Sequence, residues 1–178
     1  MMTKKKINLT KKNILVSIHV IAFCAWFGAT LSLILLGFYL KNAENGSQLI
    51  YTLSSMHIID ETLLKFPALA TLITGILLSI WTQWGLVKYY WVVIKLVLTI
   101  LIILLGIFFI NDWFALLIKY ANQLGIDALS SNDFKTSWLS IIITGIFNLI
   151  CMTVMTIVTY FKPFGKIKKK KKVEMIKS

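Results

Sequence analysis

"WVVIKLVLTILIILLGIFFI", residues 91–110, decides the fold. The stretch carries a single charge, Lys95, and is apolar on every side. It therefore lacks the period-two alternation of a barrel strand. At about 1.5 Å per residue it is long enough, as a helix, to cross a ~30 Å hydrocarbon layer. Three further runs have the same character: Ile14 to Leu40, Leu63 to Trp81 and Trp138 to Phe161. In lipid such a helix satisfies its backbone polar groups within itself. The expected fold is all-α membrane: one domain, an antiparallel four-helix transmembrane bundle, followed by a basic tail over residues 162–178.

Composition agrees. Of 178 residues, 58% are hydrophobic and 15% charged, which leaves too little polar surface to cover a soluble domain of this size. All 19 basic residues are lysine; five precede the first span, eight follow the last, and Lys88 lies in the short turn between spans two and three. The positive-inside rule puts these segments, and so both termini, in the cytoplasm. The complementary loops hold Glu44, Asp60, Glu61, Asp112, Asp127 and Asp133, six of the seven acids.

The expected partners are the lipid bilayer and, at the basic termini, its anionic headgroups. Nucleic acid is not expected, because the charge is confined to one membrane face and no folded basic module accompanies it. The first apolar run is about twice the length of a signal-peptide core and shows no distinct cleavage site, so it is read as a retained span.

Two ionisable groups fall within the hydrocarbon. His19 lies just past the start of span one and Lys95 just past the start of span three, each ~6 to 8 Å below the cytoplasmic boundary. Intramembrane ionisable groups are expensive and so are candidates for function. Trp26 shares a helical face with His19, and it alone of six tryptophans lies away from the interfacial belts. These residues could hold a flat aromatic ligand, with His19 as ligand and Trp26 as roof. The same residues also admit plain readings: Lys95 snorkelling to the headgroups, and His19 as a neutral imidazole bonded to a neighbouring helix.

At the other face, His57, Asp60 and Glu61 stand at i, i+3 and i+4, a spacing that suits a divalent cation. It equally suits carboxylates complementing a helix dipole. Cys24, Cys151, Met152 and Met155 are soft donors able to hold Cu(I), or ordinary packing residues; no disulfide is expected inside the spans. Two small-residue sets should let helices approach closely: Cys24, Gly28 and Ser32 on span one, and Thr74, Gly75, Thr144 and Gly145 on spans two and four. "LIYTLSSMHIIDETLL" reads as a short interfacial helix entering span two, and "DWFALLIKYANQL" as a helical continuation of span three. No phosphate loop, nucleophile elbow or CxxC motif is present, so soluble-enzyme chemistry is not indicated.

"HVIAFCAWFGATLS", residues 19–32, resembles the first-span signature of a group of small bacterial four-helix membrane proteins. That group includes copper resistance protein D and the HemJ-type protoporphyrinogen oxidase. "WVVIKLVLTI", residues 91–100, resembles the third-span Trp-x-x-x-Lys-Leu element of the same group. "IIDETLLKFPALATLITGILLSIWTQWGLVKYYW", residues 58–91, is similar to an uncharacterised branch of it.

The resemblance covers most of residues 14–161. It implies that His19 and Lys95 match the histidine and lysine that bind haem or porphyrin in the oxidase. The oxidase's Pro-Arg-Leu-type element and further histidine are missing: the chain reads "LILLGFYLKNAENG" at that point and has no arginine, so oxidase activity is not expected.

The leading expectation is thus a redox-accessory protein of the bacterial cell membrane that binds haem b or a related porphyrin near the inner leaflet. His19 would be the axial ligand, Lys95 a partner of a propionate or second ligand, and Trp26 a packing surface. Two alternatives stand beside it. One is a copper or small-solute transport component with His57, Asp60 and Glu61 at its outer mouth; the other is a cofactor-free structural or immunity-type protein. A second copy of the chain, or another membrane protein, remains open as a partner.

Overall fold

A computed structural model describes residues 8–167; Lys4 to Lys6 and the lysine run at 168–172 lie outside the described residues. Six helices account for nearly all of it: α1 (Leu9–Tyr39), α2 (Gly46–Ile59), α3 (Lys65–Trp81), α4 (Tyr90–Leu105), α5 (Asn111–Leu124) and α6 (Asn132–Phe161). Among the described residues there is no β-strand. Helix α2 runs into α3 through one π-helical turn, Asp60–Leu64, and α4 runs into α5 through another, Gly106–Ile110. The chain therefore builds four long rods, Leu9–Asn42, Gly46–Trp81, Tyr90–Ser130 and Asn132–Phe161, each long and apolar enough to cross a membrane.

The rods pack in a ring: α1 touches α3 and α6, and α4 touches the same two. Close approach depends on glycine at particular places. A Cβ on Gly145 would sit 2.9 Å from Ile34 Cγ1, and one on Gly75 would sit 3.2 Å from His19 Cε1. Gly28 behaves differently, with nothing within 4 Å, so the Cys24–Gly28–Ser32 stripe makes no helix contact at its glycine. Mid-rod residues such as Ile73, Leu101, Phe108, Ile143 and Ile150 expose 40% or more of their surface. A belt of that kind suits hydrocarbon rather than water.

The tightest packing lies beyond this belt, at the end built from α2 and α5. Leu49, Leu53 and Met56 of α2 close on Phe114, Leu117 and Ala121 of α5, with Leu40, Ala128 and Phe134 completing a core in which no residue is more than 2% exposed. Segments read from sequence as an interfacial helix and a helical continuation thus form a packed layer. Asn45 caps α2, its side chain accepting from Gln48 N–H.

At the opposite end α3 and α4 are joined by Thr82–Tyr89, where Gly85 takes φ +66°. This turn receives the end of the described chain: Ile167 N–H donates to Lys88 C=O at 3.0 Å, and Lys162 Nζ lies 5.0 Å over the Trp84 ring.

Candidate functional site

Among the described residues, two cavities between the rods hold the candidate groups. The larger, about 660 Å³, lies toward the turn end and is lined by His19 of α1, Thr71 and Gly75 of α3, Trp91 and Lys95 of α4, and Lys162 after α6. Its volume falls within the ~300 to 1,000 Å³ of small-molecule sites.

The imidazole of His19 is held in a defined position. Thr74 Oγ1 lies 2.8 Å from His19 Nδ1 and 2.6 Å from the Ala70 carbonyl oxygen, so the hydroxyl ties the ring to α3. A neutral ring that donates Nδ1–H to Thr74 would leave the lone pair of Nε2 free. A donor bond at one ring nitrogen that frees the other is the arrangement of a ligating histidine. Gly75 makes room for this pose, because a side chain there would press on His19 Cε1.

Lys95 lines the same cavity, and among the described residues no carboxylate lies within ion-pair distance of it. His19 and Lys95 are thus brought together, as their matching depth implied. Trp26 is not with them. It is 1% exposed and lines the second cavity, about 120 Å³, because seven residues past His19 amount to ~10 Å of helix rise. The expected roof over a ligand at His19 is therefore absent; Trp91, which no reading singled out as a site residue, is the tryptophan that lines the larger cavity.

The smaller cavity is mostly apolar but contains unpaired polar atoms. Trp26 Nε1, Asn148 Oδ1 and both carboxylate oxygens of Asp60 are buried without a hydrogen-bond partner. Asn148 Nδ2 reaches Thr30 Oγ1 at 3.2 Å, which in turn donates to the Trp26 carbonyl.

His57, Asp60 and Glu61 do converge: one ligating atom from each lies within 4.8 Å of the others. Sequence reasoning overlooked two neighbours of this cluster. Lys65 pairs with Glu61, stands 3.4 Å from Asp60 Oδ2 and donates to Asn111 Oδ1 at 2.7 Å. Its pairing with Glu61 was legible as an i, i+4 spacing. Its approach to Asp60 at i+5 depends on the π turn, in which the Lys65 N–H bonds the Asp60 carbonyl.

The soft donors are not gathered. Cys24 and Met155 line the larger cavity, whereas Cys151 and Met152 line neither, and both cysteines are free thiols. No family model matches the chain, and neither a curated protein nor a solved structure matches it.

Proposed function

We propose that this is a multi-pass protein of the bacterial cell membrane, an antiparallel four-helix bundle with both termini cytoplasmic, that binds haem b or a related porphyrin as a redox-accessory protein. The observation that carries the reading is the setting of His19: Thr74 Oγ1 anchors its Nδ1 at 2.8 Å, and the residue lines, with Lys95, a cavity of about 660 Å³. The residues suit the group. His19 would hold the iron, Lys95, which has no carboxylate within ion-pair distance among the described residues, would face a propionate, and apolar side chains such as Phe23, Leu72 and Leu96 would cover the macrocycle. Bound haem supplies one-electron chemistry whose potential the protein sets through the axial ligand and its burial. Thr74 positions the ring and, by accepting from Nδ1–H, would leave Nε2 free to ligate. Trp26 has no part in this site.

Orientation rests on charge. Lys11 and Lys12 precede the first apolar run, Lys88 sits in the turn, and Lys162 and Lys166 follow the last span beside that turn. These lysines support a cytoplasmic turn end against anionic headgroups.

The visible spectrum of detergent-purified protein tests the proposal. A Soret band is expected, as isolated or after haemin is supplied, and His19→Ala should remove it. Absence of the band from the unaltered protein after haemin addition overturns the reading.

A further inference from the structure

We infer that His57, Asp60 and Glu61 form a second site, for a single divalent transition-metal ion, and that Lys65 is its built-in competitor. The inference does not rest on the haem reading and uses none of its residues.

The first observation is geometric: the three side chains bring ligating atoms within 4.8 Å of one another at the end of α2 and in the π turn that follows. A zinc ion with bonds of ~2.1 Å at tetrahedral angles would ask for separations of about 3.4 Å, so side-chain rotation is enough to close the set. Glu61, with a side chain 45% exposed, has room to rotate.

The second observation is that ligating atoms lie buried and incompletely satisfied. Asp60 is 0% exposed and lines the smaller cavity, and its oxygens accept no hydrogen bond of normal geometry, only the ion pair of Oδ2 with Lys65 at 3.4 Å; His57 Nδ1 is buried without a partner. Buried polar atoms are ordinarily satisfied, and a carboxylate stripped of water needs a cation.

Lys65 supplies one in part. Its single ammonium reaches Glu61 and stands 3.4 Å from Asp60 Oδ2, but it can do nothing for His57 Nδ1, which needs a donor or a metal. The π turn makes this arrangement possible by placing residue i+5 above Asp60, while Glu61 keeps its ordinary i+4 relation to the same lysine. Asn111 Oδ1, already 2.7 Å from Lys65 Nζ, gives the ammonium a place to remain when an ion takes the carboxylates.

The donor set names the class of ion. One imidazole with two carboxylates suits Zn²⁺, Co²⁺, Ni²⁺ or Cu²⁺, with water completing the shell. Ca²⁺, which takes about six to eight oxygen ligands, is excluded by the shortage of oxygens.

Titration calorimetry with Zn²⁺, on chelator-stripped protein in detergent and in a His19→Ala background, tests the site. One ion per chain is expected; His57→Ala and Asp60→Asn should each weaken binding at least about tenfold. Co²⁺ should give visible d–d absorption that His57→Ala abolishes. Lys65→Met should tighten Zn²⁺ binding by about tenfold, a gain that misfolding cannot produce. Zinc affinity indifferent to His57→Ala, or left unchanged or weakened by Lys65→Met, overturns the site. Zinc binding retained in His19→Ala while the Soret band is lost separates this proposal from the haem reading.

Discussion

Thr74 shows how much one hydroxyl decides. Its Oγ1 stands 2.8 Å from His19 Nδ1 and 2.6 Å from the Ala70 carbonyl oxygen, so it ties the imidazole to α3. Removing that hydroxyl leaves the ring unoriented and Nδ1 without its hydrogen-bond partner. Partners of this kind, when mutated, typically cost ~10- to 100-fold in the affinity of a ligated centre. Thr74→Val is therefore expected to weaken haemin binding by at least about tenfold in a spectroscopic titration without abolishing it, whereas His19→Ala abolishes it. The depth of His19 and Lys95 was legible from residue counting along two spans. The role of Thr74 was not, because the partners are 55 residues apart and the sequence marked Thr74 only as small. Trp26 fails in the opposite direction: it shares a helical face with His19, yet face alone does not place two residues in one cavity when two helical turns separate them.

At the scale of elements, glycine illustrates the difference between composition and contact. Gly28 and Gly145 both looked like packing residues, but open space lies beside Gly28 whereas Ile34 presses on Gly145. Ile34 is β-branched and 8% exposed, so it has little freedom to yield. Gly145→Ala should cost about 1 to 3 kcal/mol through overpacking, with thermal unfolding in detergent as the measure. Gly28→Ala should stay within about 0.5 kcal/mol of the parent in the same experiment.

The helix junctions carry a second lesson at this scale. Both π turns fall where a span meets the α2/α5 layer, and Lys65 and Asn111 tie one junction to the other. Inserted turns of this type often mark functional positions. No residue pattern in "DETLL" or "GIFFI" announces an i→i+5 bond, since both are compatible with ordinary helix.

For the molecule as a whole, the issue is which end faces which compartment. Among the described residues Lys11, Lys12, Lys88, Lys162 and Lys166 lie at the turn end with no acid beside them in the sequence, while Glu44, Asp112, Asp127 and Asp133 lie in and around the α2/α5 layer together with Lys41, Lys119 and Lys135. Glu44 and Gln83 are exposed and lie at opposite ends of the second rod. In a background lacking Cys24 and Cys151, a membrane-impermeant maleimide added to intact spheroplasts should label Glu44→Cys at once. Gln83→Cys should react only after permeabilisation. The reverse pattern would invert the orientation and place the larger cavity near the outer leaflet.

The amino-acid sequence by itself determined that there are four apolar helices and which charges flank them, because hydrophobic length and lysine bias are local properties that need no neighbour to be read. It also determined that His19 and Lys95 share a depth, since rise per residue is constant along a helix. Only the tertiary structure decided that these two line one cavity while Trp26 lines another, that α2 and α5 close into a packed layer, and that Lys65 stands against Asp60. Those outcomes depend on helix rotation and contact across long separations in the chain, and rotation is set by which side chains interlock with the neighbouring helices rather than by hydrophobicity.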